Sequence, residues 1–226
     1  MTTKRPRNKI EIDFSEVEES YSKFIKETIK QANKLGVSVK LLKVRKVQYT
    51  DHGVDEVGFS NGYFCDEELE LVVAADQPFD KWFRVFIHES SHMDQWHEGD
   101  PYWDTVDFCG IDSGSIMELW LNHHVELNRE QQQKMIMPSV YVELDCERRA
   151  LKKILKYKLP LSPTEYAKRA NAYVWFYLVM PYTRKWYEIG EEPYNNQVIL
   201  DYMPGHLNMN YEEVPQEIID LYQENI

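Results

Sequence analysis

No apolar run in the 226 residues approaches the roughly 18–20 needed to cross a bilayer, so no membrane span is expected. Cysteine is scarce. Cys65, Cys109 and Cys146 are an odd number without paired spacing, and are expected to be reduced thiols in an intracellular, cytoplasmic protein. No disulfide framework is needed, because a chain this long buries well over half of its unfolded surface. Positive charge is also short. Lys and Arg total 26 against 38 Asp and Glu, which leaves a net −12 with His neutral. A domain of that sign repels duplex nucleic acid and anionic lipid, so neither is expected as a partner. After Lys185 there is no Lys or Arg, while Glu188, Glu191, Glu192, Asp201, Glu212, Glu213, Glu217, Asp220 and Glu224 give that segment −9. The N-terminal residues Lys4, Arg5, Arg7 and Lys9 are basic, but no apolar segment follows, so no secretory signal is expected. No internal repeat or low-complexity linker is visible.

What the chain does have is apolar and aromatic material. Hydrophobic residues are 43% and aromatics 13%, too much for a disordered chain. The expected organisation is a flexible basic tail over residues 1–12, one α+β domain over 13–185, and an acidic, solvated C-terminal extension over 186–226.

Periodicity and punctuation predict the elements. A helix starts near Ser15, with Glu18 completing a capping box, and ends at Gly36. Residues 37–48 alternate and are β-branched, which predicts one strand, and 51–62 carry turn signals. Residues 63–75 predict one or two further strands. A helix follows over about 80–98, with Asp80 as N-cap and Gly99 closing it. Beyond a loop over 99–115, helices are predicted at about 116–134, 140–157 after Pro138, and 164–180 up to Pro181, with a short helical pattern near 214–224.

The helix over 80–98 carries the chemistry. It contains His88-Glu89-Ser90-Ser91-His92, a His-Glu-x-x-His pattern. Two His at i and i+4 lie on one helix face, so both imidazoles can reach one metal ion. Glu89 projects from the turn beside them and is placed to take a proton from a water that the metal activates, without being a ligand itself. The flanks Val85, Phe86, Ile87 and Met93 are apolar, whereas Asp94 is a charge where an apolar residue is usual. A catalytic zinc has three protein ligands, so a third must come from elsewhere. Glu143 is the best candidate on the predicted helix over 140–157. Glu147, four residues on, is placed to accept a hydrogen bond from the second nitrogen of a ligating His. The alternative for both is an exposed charged stripe paired with Arg148, Lys152 or Lys153.

With these residues the chain resembles zinc metallopeptidases of the zincin type, in the gluzincin arrangement, where a Glu ligand on a later helix follows His-Glu-x-x-His. The run Glu143-x-x-Cys146-Glu147-x-x-Ala150 resembles the Glu-x-x-Ala-Asn-x-Phe-Ala helix of ImmA/IrrE-type peptidases. Cys146 stands at the small Ala, Glu147 at the Asn and Arg149 at the Phe, and the spacer from His92 is longer than usual there. The matching region is about residues 65–155. The resemblance implies a zincin-like fold, a small mixed sheet packed on the active-site helix with further helices C-terminal. It implies hydrolysis of a protein or peptide substrate, with one Zn2+ per chain held by His88, His92 and Glu143 and with Glu89 as general base.

Other ligands are weaker. Glu98 stands where a metzincin has its third His, but Gln95 replaces the Gly that turns such a helix, so Glu98 is expected to project away. His97 falls on another face at the helix end, and His123 and His124 read as helix-surface residues. Tyr173, Tyr177, Tyr182 and Tyr187 are the candidates for a donor to the oxyanion. The opposing expectation is a zincin-like protein without catalysis, whose Tyr-rich acidic tail binds a partner.

Overall fold

The computed structural model describes residues 6–51, 56–103, 106–107, 111–188, 190–207, 211 and 213–226. It is mixed α+β, with a small mixed sheet and seven α-helices among those residues. The chain divides into two compact units, Met1–Asp100 with Lys152–Pro160, and Pro101–Leu151 with Leu161–Ile226. The expected boundaries near 12 and 185 do not coincide with that division. None of the described helices is long and apolar enough to cross a membrane.

The first unit contains α1 (Glu19–Leu35), α2 (Phe79–Glu98) and six strands, β1 (Lys9–Ile10), β2 (Ser38–Leu42), β3 (Val47–Asp51), β4 (Glu56–Ser60), β5 (Gly62–Cys65) and β6 (Glu70–Ala74). The sheet order is β1-β2-β6-β5. β2 runs parallel to β1 and to β6, and β5 runs antiparallel to β6. The expected basic tail is therefore part of the sheet at Lys9 and Ile10, which pair with Lys40 and Leu41. In β6, Leu71, Val72, Val73 and Ala74 are all buried, as an inner strand covered on both faces requires. The single strand expected over 37–48 is two strands. Bends at residues 43–46 end β2, and β3 pairs instead with β4 in a separate hairpin.

Helix α1 starts four residues later than the capping box predicted. Asp13 accepts the Ser15 backbone N–H at 2.8 Å and closes a single 3-10 turn over Phe14–Glu16, which uses the Ser15 position for another purpose. The C-terminus agrees with expectation, since Gly36 takes φ 84° and donates its N–H back to the last turn. α1 lies on β2, and α2 lies on β5 and β6. Phe24 of α1 meets Phe83 and Phe86 of α2 edge-on, at 5.9 and 6.0 Å between centroids, and Tyr157 at 5.0 Å. Phe83, Phe86, Ile87 and Met93 are fully buried, so the apolar flanks of the His-Glu-x-x-His motif are what fasten α2.

Gly62 sets how closely α2 approaches the sheet. A Cβ there would stand 2.6 Å from Cγ1 of Val85 and 2.8 Å from the Val72 carbonyl oxygen. Gly62→Ala is expected to lower stability by roughly 1–3 kcal/mol through overpacking. The check is a urea midpoint that falls with an unchanged denaturant slope.

The second unit contains the hairpin β7 (Val106–Asp107) and β8 (Ile111–Asp112), then α3 (Ser113–Leu121), α4 (Arg129–Tyr157), α5 (Pro163–Thr183), α6 (Gln197–Tyr202) and α7 (Gln216–Asn225), with the last residues of α4 counted in the first unit. The helix predicted over 116–134 ends early at Leu121, and His123 turns the chain with φ 60°. α4 then begins on a reciprocal cap, in which the Gln131 N–H reaches Asn128 Oδ1 at 3.0 Å and the Asn128 N–H reaches Gln131 Oε1 at 2.9 Å. Pro138 lies inside α4 instead of starting a new helix. It forfeits one backbone hydrogen bond, but Met135, Ile136 and Val140 are buried around it, which holds the helix through the defect. Pro181 likewise lies inside α5, which closes at Arg184. There the Arg184 guanidinium donates to the Trp120 carbonyl at 2.7 and 3.0 Å and to Glu126 at 2.9 and 3.0 Å.

The C-terminal segment is not a solvated extension. Ile199, Leu200, Met203, Tyr211, Ile218, Ile219 and Tyr222 are buried in one cluster with the apolar side of α5. Asn171 of α5 is fully buried and donates to the carbonyls of Pro204 and His206 at 2.9 and 2.8 Å, while accepting from the Tyr211 hydroxyl at 2.6 Å. The Tyr222 hydroxyl donates to the Ala172 carbonyl at 2.6 Å. Glu188, Glu191, Asp201, Glu213, Glu217, Asp220 and Glu224 are exposed, whereas Glu192 is buried.

Candidate metal centre

The two histidines of α2 converge. Nε2 of His92 lies 3.1 Å from Nε2 of His88, with the rings nearly perpendicular at 87°. His92 is buried and His88 half-buried. Nδ1 of His92 faces Oε1 of Gln95 at 2.8 Å. An amide oxygen only accepts, so Nδ1 carries the hydrogen and Nε2 holds a lone pair. That lone pair is turned toward the second Nε2, an arrangement satisfied by one shared cation, a proton or a metal ion. Two nitrogens bound tetrahedrally to zinc at 2.0–2.1 Å stand roughly 3.3 Å apart, so the histidine pair fits such an ion closely.

Four side chains form one cluster able to hold a metal ion. One ligand atom each from His88, His92, Glu143 and Cys146 lies within 4.8 Å of the other three. Glu143 and Cys146 are three residues apart in α4, hence on one face of that helix. The donor set is two imidazoles, a carboxylate and a thiol, which suits zinc and related transition metals better than magnesium or calcium.

Of the residues singled out in the sequence, His88, His92 and Glu143 are thus brought together. Glu89, next to His88, is buried at 8% exposure, unusual for a carboxylate with no task. Glu147 is buried at 6% exposure, one turn beyond Glu143, and so is no part of an exposed stripe. For His92, however, the partner of the second nitrogen is Gln95, three residues along the same helix. Gln95 is fully buried. Gln95→Leu is expected to weaken metal binding roughly 10–100-fold, as loss of a partner behind a ligand does, and Gln95→Glu to keep most of it. Competition against a chromophoric chelator reads both.

The buried serines inside the motif are satisfied within the helix. Ser90 and Ser91 donate to the Ile87 carbonyl at 2.8 and 2.9 Å. Asp94, the unexpected charge, pairs with Lys153 at 2.8 Å and accepts from Gln31 at 2.8 Å, while Lys153 also donates to Ser90 Oγ at 2.9 Å. These bonds tie α2 to the last turns of α4 within the first unit.

Glu98, His97, His123 and His124 are exposed. α2 continues regularly to Glu98 and ends with Gly99 at φ 69°, so Glu98 is carried away from the histidine pair. Tyr182 is also exposed, stacked beneath the Arg129 guanidinium at 4.1 Å. Tyr173 and Tyr177 are different. Their hydroxyls lie 3.1 Å apart. Burial first, and then the Glu143 carboxylate, hold both phenols well above their ordinary range. Tyr187 is pushed up to about 12, chiefly by burial. All three therefore remain protonated donors at neutral pH.

Two members of the site were missed in the sequence. In the sequence Gln95 stands only as the missing glycine of another motif, and Cys146 only as a replacement for alanine. The signal for each was its offset, i+3 from His92 and i+3 from Glu143. Cys65 and Cys146 are free thiols, and Cys109 lies outside the described residues. No protein-family model, curated protein or solved structure matches the chain.

Proposed function

We propose that this chain is a zinc-dependent metallopeptidase with a zincin-like, gluzincin-type site, acting on a protein or peptide substrate. The observation that carries the reading is the convergence of His88 and His92, Nε2 to Nε2 at 3.1 Å, in a cluster with Glu143 and on a helix where the intervening Glu89 is buried. His88, His92 and Glu143 would hold the ion, one per chain. Bound there, zinc supplies Lewis-acid chemistry and makes water a nucleophile near neutral pH.

The chain's own residues do the rest. Glu89 accepts a proton from the attacking water at a carboxylate oxygen and returns it to the leaving nitrogen. Gln95 keeps the His92 hydrogen on Nδ1, so that Nε2 stays available. Tyr173 and Tyr177 remain neutral, and their hydrogen-bonded hydroxyl pair is the candidate source of a donor near Glu143 for negative charge developing on the substrate carbonyl oxygen.

The test is incubation of the zinc-loaded full chain with a denatured proteome-derived peptide library, read as new N-termini by mass spectrometry. Cleavage that 1,10-phenanthroline abolishes and added zinc restores supports the reading. Absence of cleavage by the zinc-loaded chain and by its zinc-loaded Cys146→Ala variant contradicts it.

A further inference from the structure

Cys146 is fully buried, and its Sγ lies within 4.8 Å of a ligand atom on each of His88, His92 and Glu143. We propose that Cys146 is itself a metal ligand, so that the resting site is closed by four protein groups, two imidazoles, one carboxylate and one thiolate. Hydrolysis then requires Cys146 to withdraw, and the enzyme is latent until it does. The inference deepens the metallopeptidase reading and rests on it for the word latent; the ligand assignment itself does not.

Three arguments support it. The first is placement. Glu143 and Cys146 share one face of α4, so a helix that presents the carboxylate to a metal presents the thiol with it. The second is charge. A dication held by two neutral imidazoles and one carboxylate keeps one positive charge, which is costly to bury. A thiolate brings the cluster to zero, and the cluster includes two buried residues, His92 and Cys146. The third is coordination. Four protein ligands of N, S and O type complete a tetrahedral zinc site, and only a three-ligand site leaves a position open for water. A small apolar residue at position 146 would leave that position open, whereas the thiol fills it. Thiolate also biases the site toward zinc and cobalt over magnesium and calcium.

The experiment uses the full chain loaded with Co2+, beside Cys146→Ala and Cys146→Ser. The expected result is a sulfur-to-cobalt charge-transfer band in the near ultraviolet for the parent protein, absent from both variants. The variants should still take up one metal per chain, with affinity lowered on the order of tenfold or more. On the peptide library, zinc-loaded Cys146→Ala should cleave faster than the parent.

A cobalt-loaded parent without the band, or a band that survives in Cys146→Ala, overturns the ligand assignment. A band lost in the variants, with no cleavage by any of the proteins, keeps Cys146 as a ligand and overturns the peptidase reading in favour of a structural metal site. Cleavage by the parent without any band overturns the inference and leaves the peptidase reading standing.

Discussion

Glu89→Gln is expected to keep its metal and to lose hydrolysis by about 10²–10⁴-fold, the range that a positioned general base contributes. The substitution preserves the size of the side chain and removes its ability to take a proton. Glu89 is buried on α2, so the amide occupies the same volume without a new cavity. His88 and His92 are untouched, and metal content should stay at the parent level. Retained metal with retained turnover would remove Glu89 from the base role. Lost metal would mean that its carboxylate is a ligand or holds one in place.

Glu143→Ala should produce the converse result. It deletes a negative donor from the cluster with His88, His92 and Cys146, and metal affinity should fall by more than the roughly 10–100-fold typical of residues standing behind ligands. Tyr173 and Tyr177 provide an independent signature, because the Glu143 charge helps to hold both phenols up. In the metal-free protein Glu143→Ala should lower their titration midpoints, read by ultraviolet absorbance during an alkaline titration. An unchanged metal affinity would displace Glu143 from the ligand set. His97→Ala, at the exposed helix end, is the control and should change neither quantity.

Local signals that act within one helix were legible in the sequence. Gly36 and Gly99 end α1 and α2 as expected, each in the left-handed region where glycine carries no Cβ penalty. The pairing of His88 with His92 follows from their spacing alone. What failed were judgments that depend on tertiary burial. Pro138 looked like a boundary, but burial of Met135, Ile136 and Val140 outweighs one missing hydrogen bond. The charge count of residues 186–226 predicts a solvated extension, but the apolar positions Ile199, Leu200, Ile218 and Ile219 are buried. The alternation over 37–48 hid the bend at 43–46, since side-chain pattern does not report which sheet a strand joins.

The site divides in the same way. His88 and His92 can be read from spacing, and Glu143 from its place on the predicted helix over 140–157, which the resemblance matches. Gln95 and Cys146 needed coordinates, because a buried amide and a buried thiol have ordinary structural uses that spacing does not separate from ligation. Asp94 is the reverse case, a departure in the motif that the structure explains through Lys153 and Gln31.

The most direct test of the central claim is the metal content of the full chain purified without chelator, measured by elemental mass spectrometry beside His92→Ala. Close to one zinc per chain, lost in the variant, is the result expected from the convergence of His88 and His92. No bound metal, and none taken up when zinc is added, would contradict it and leave the two imidazoles sharing only a proton.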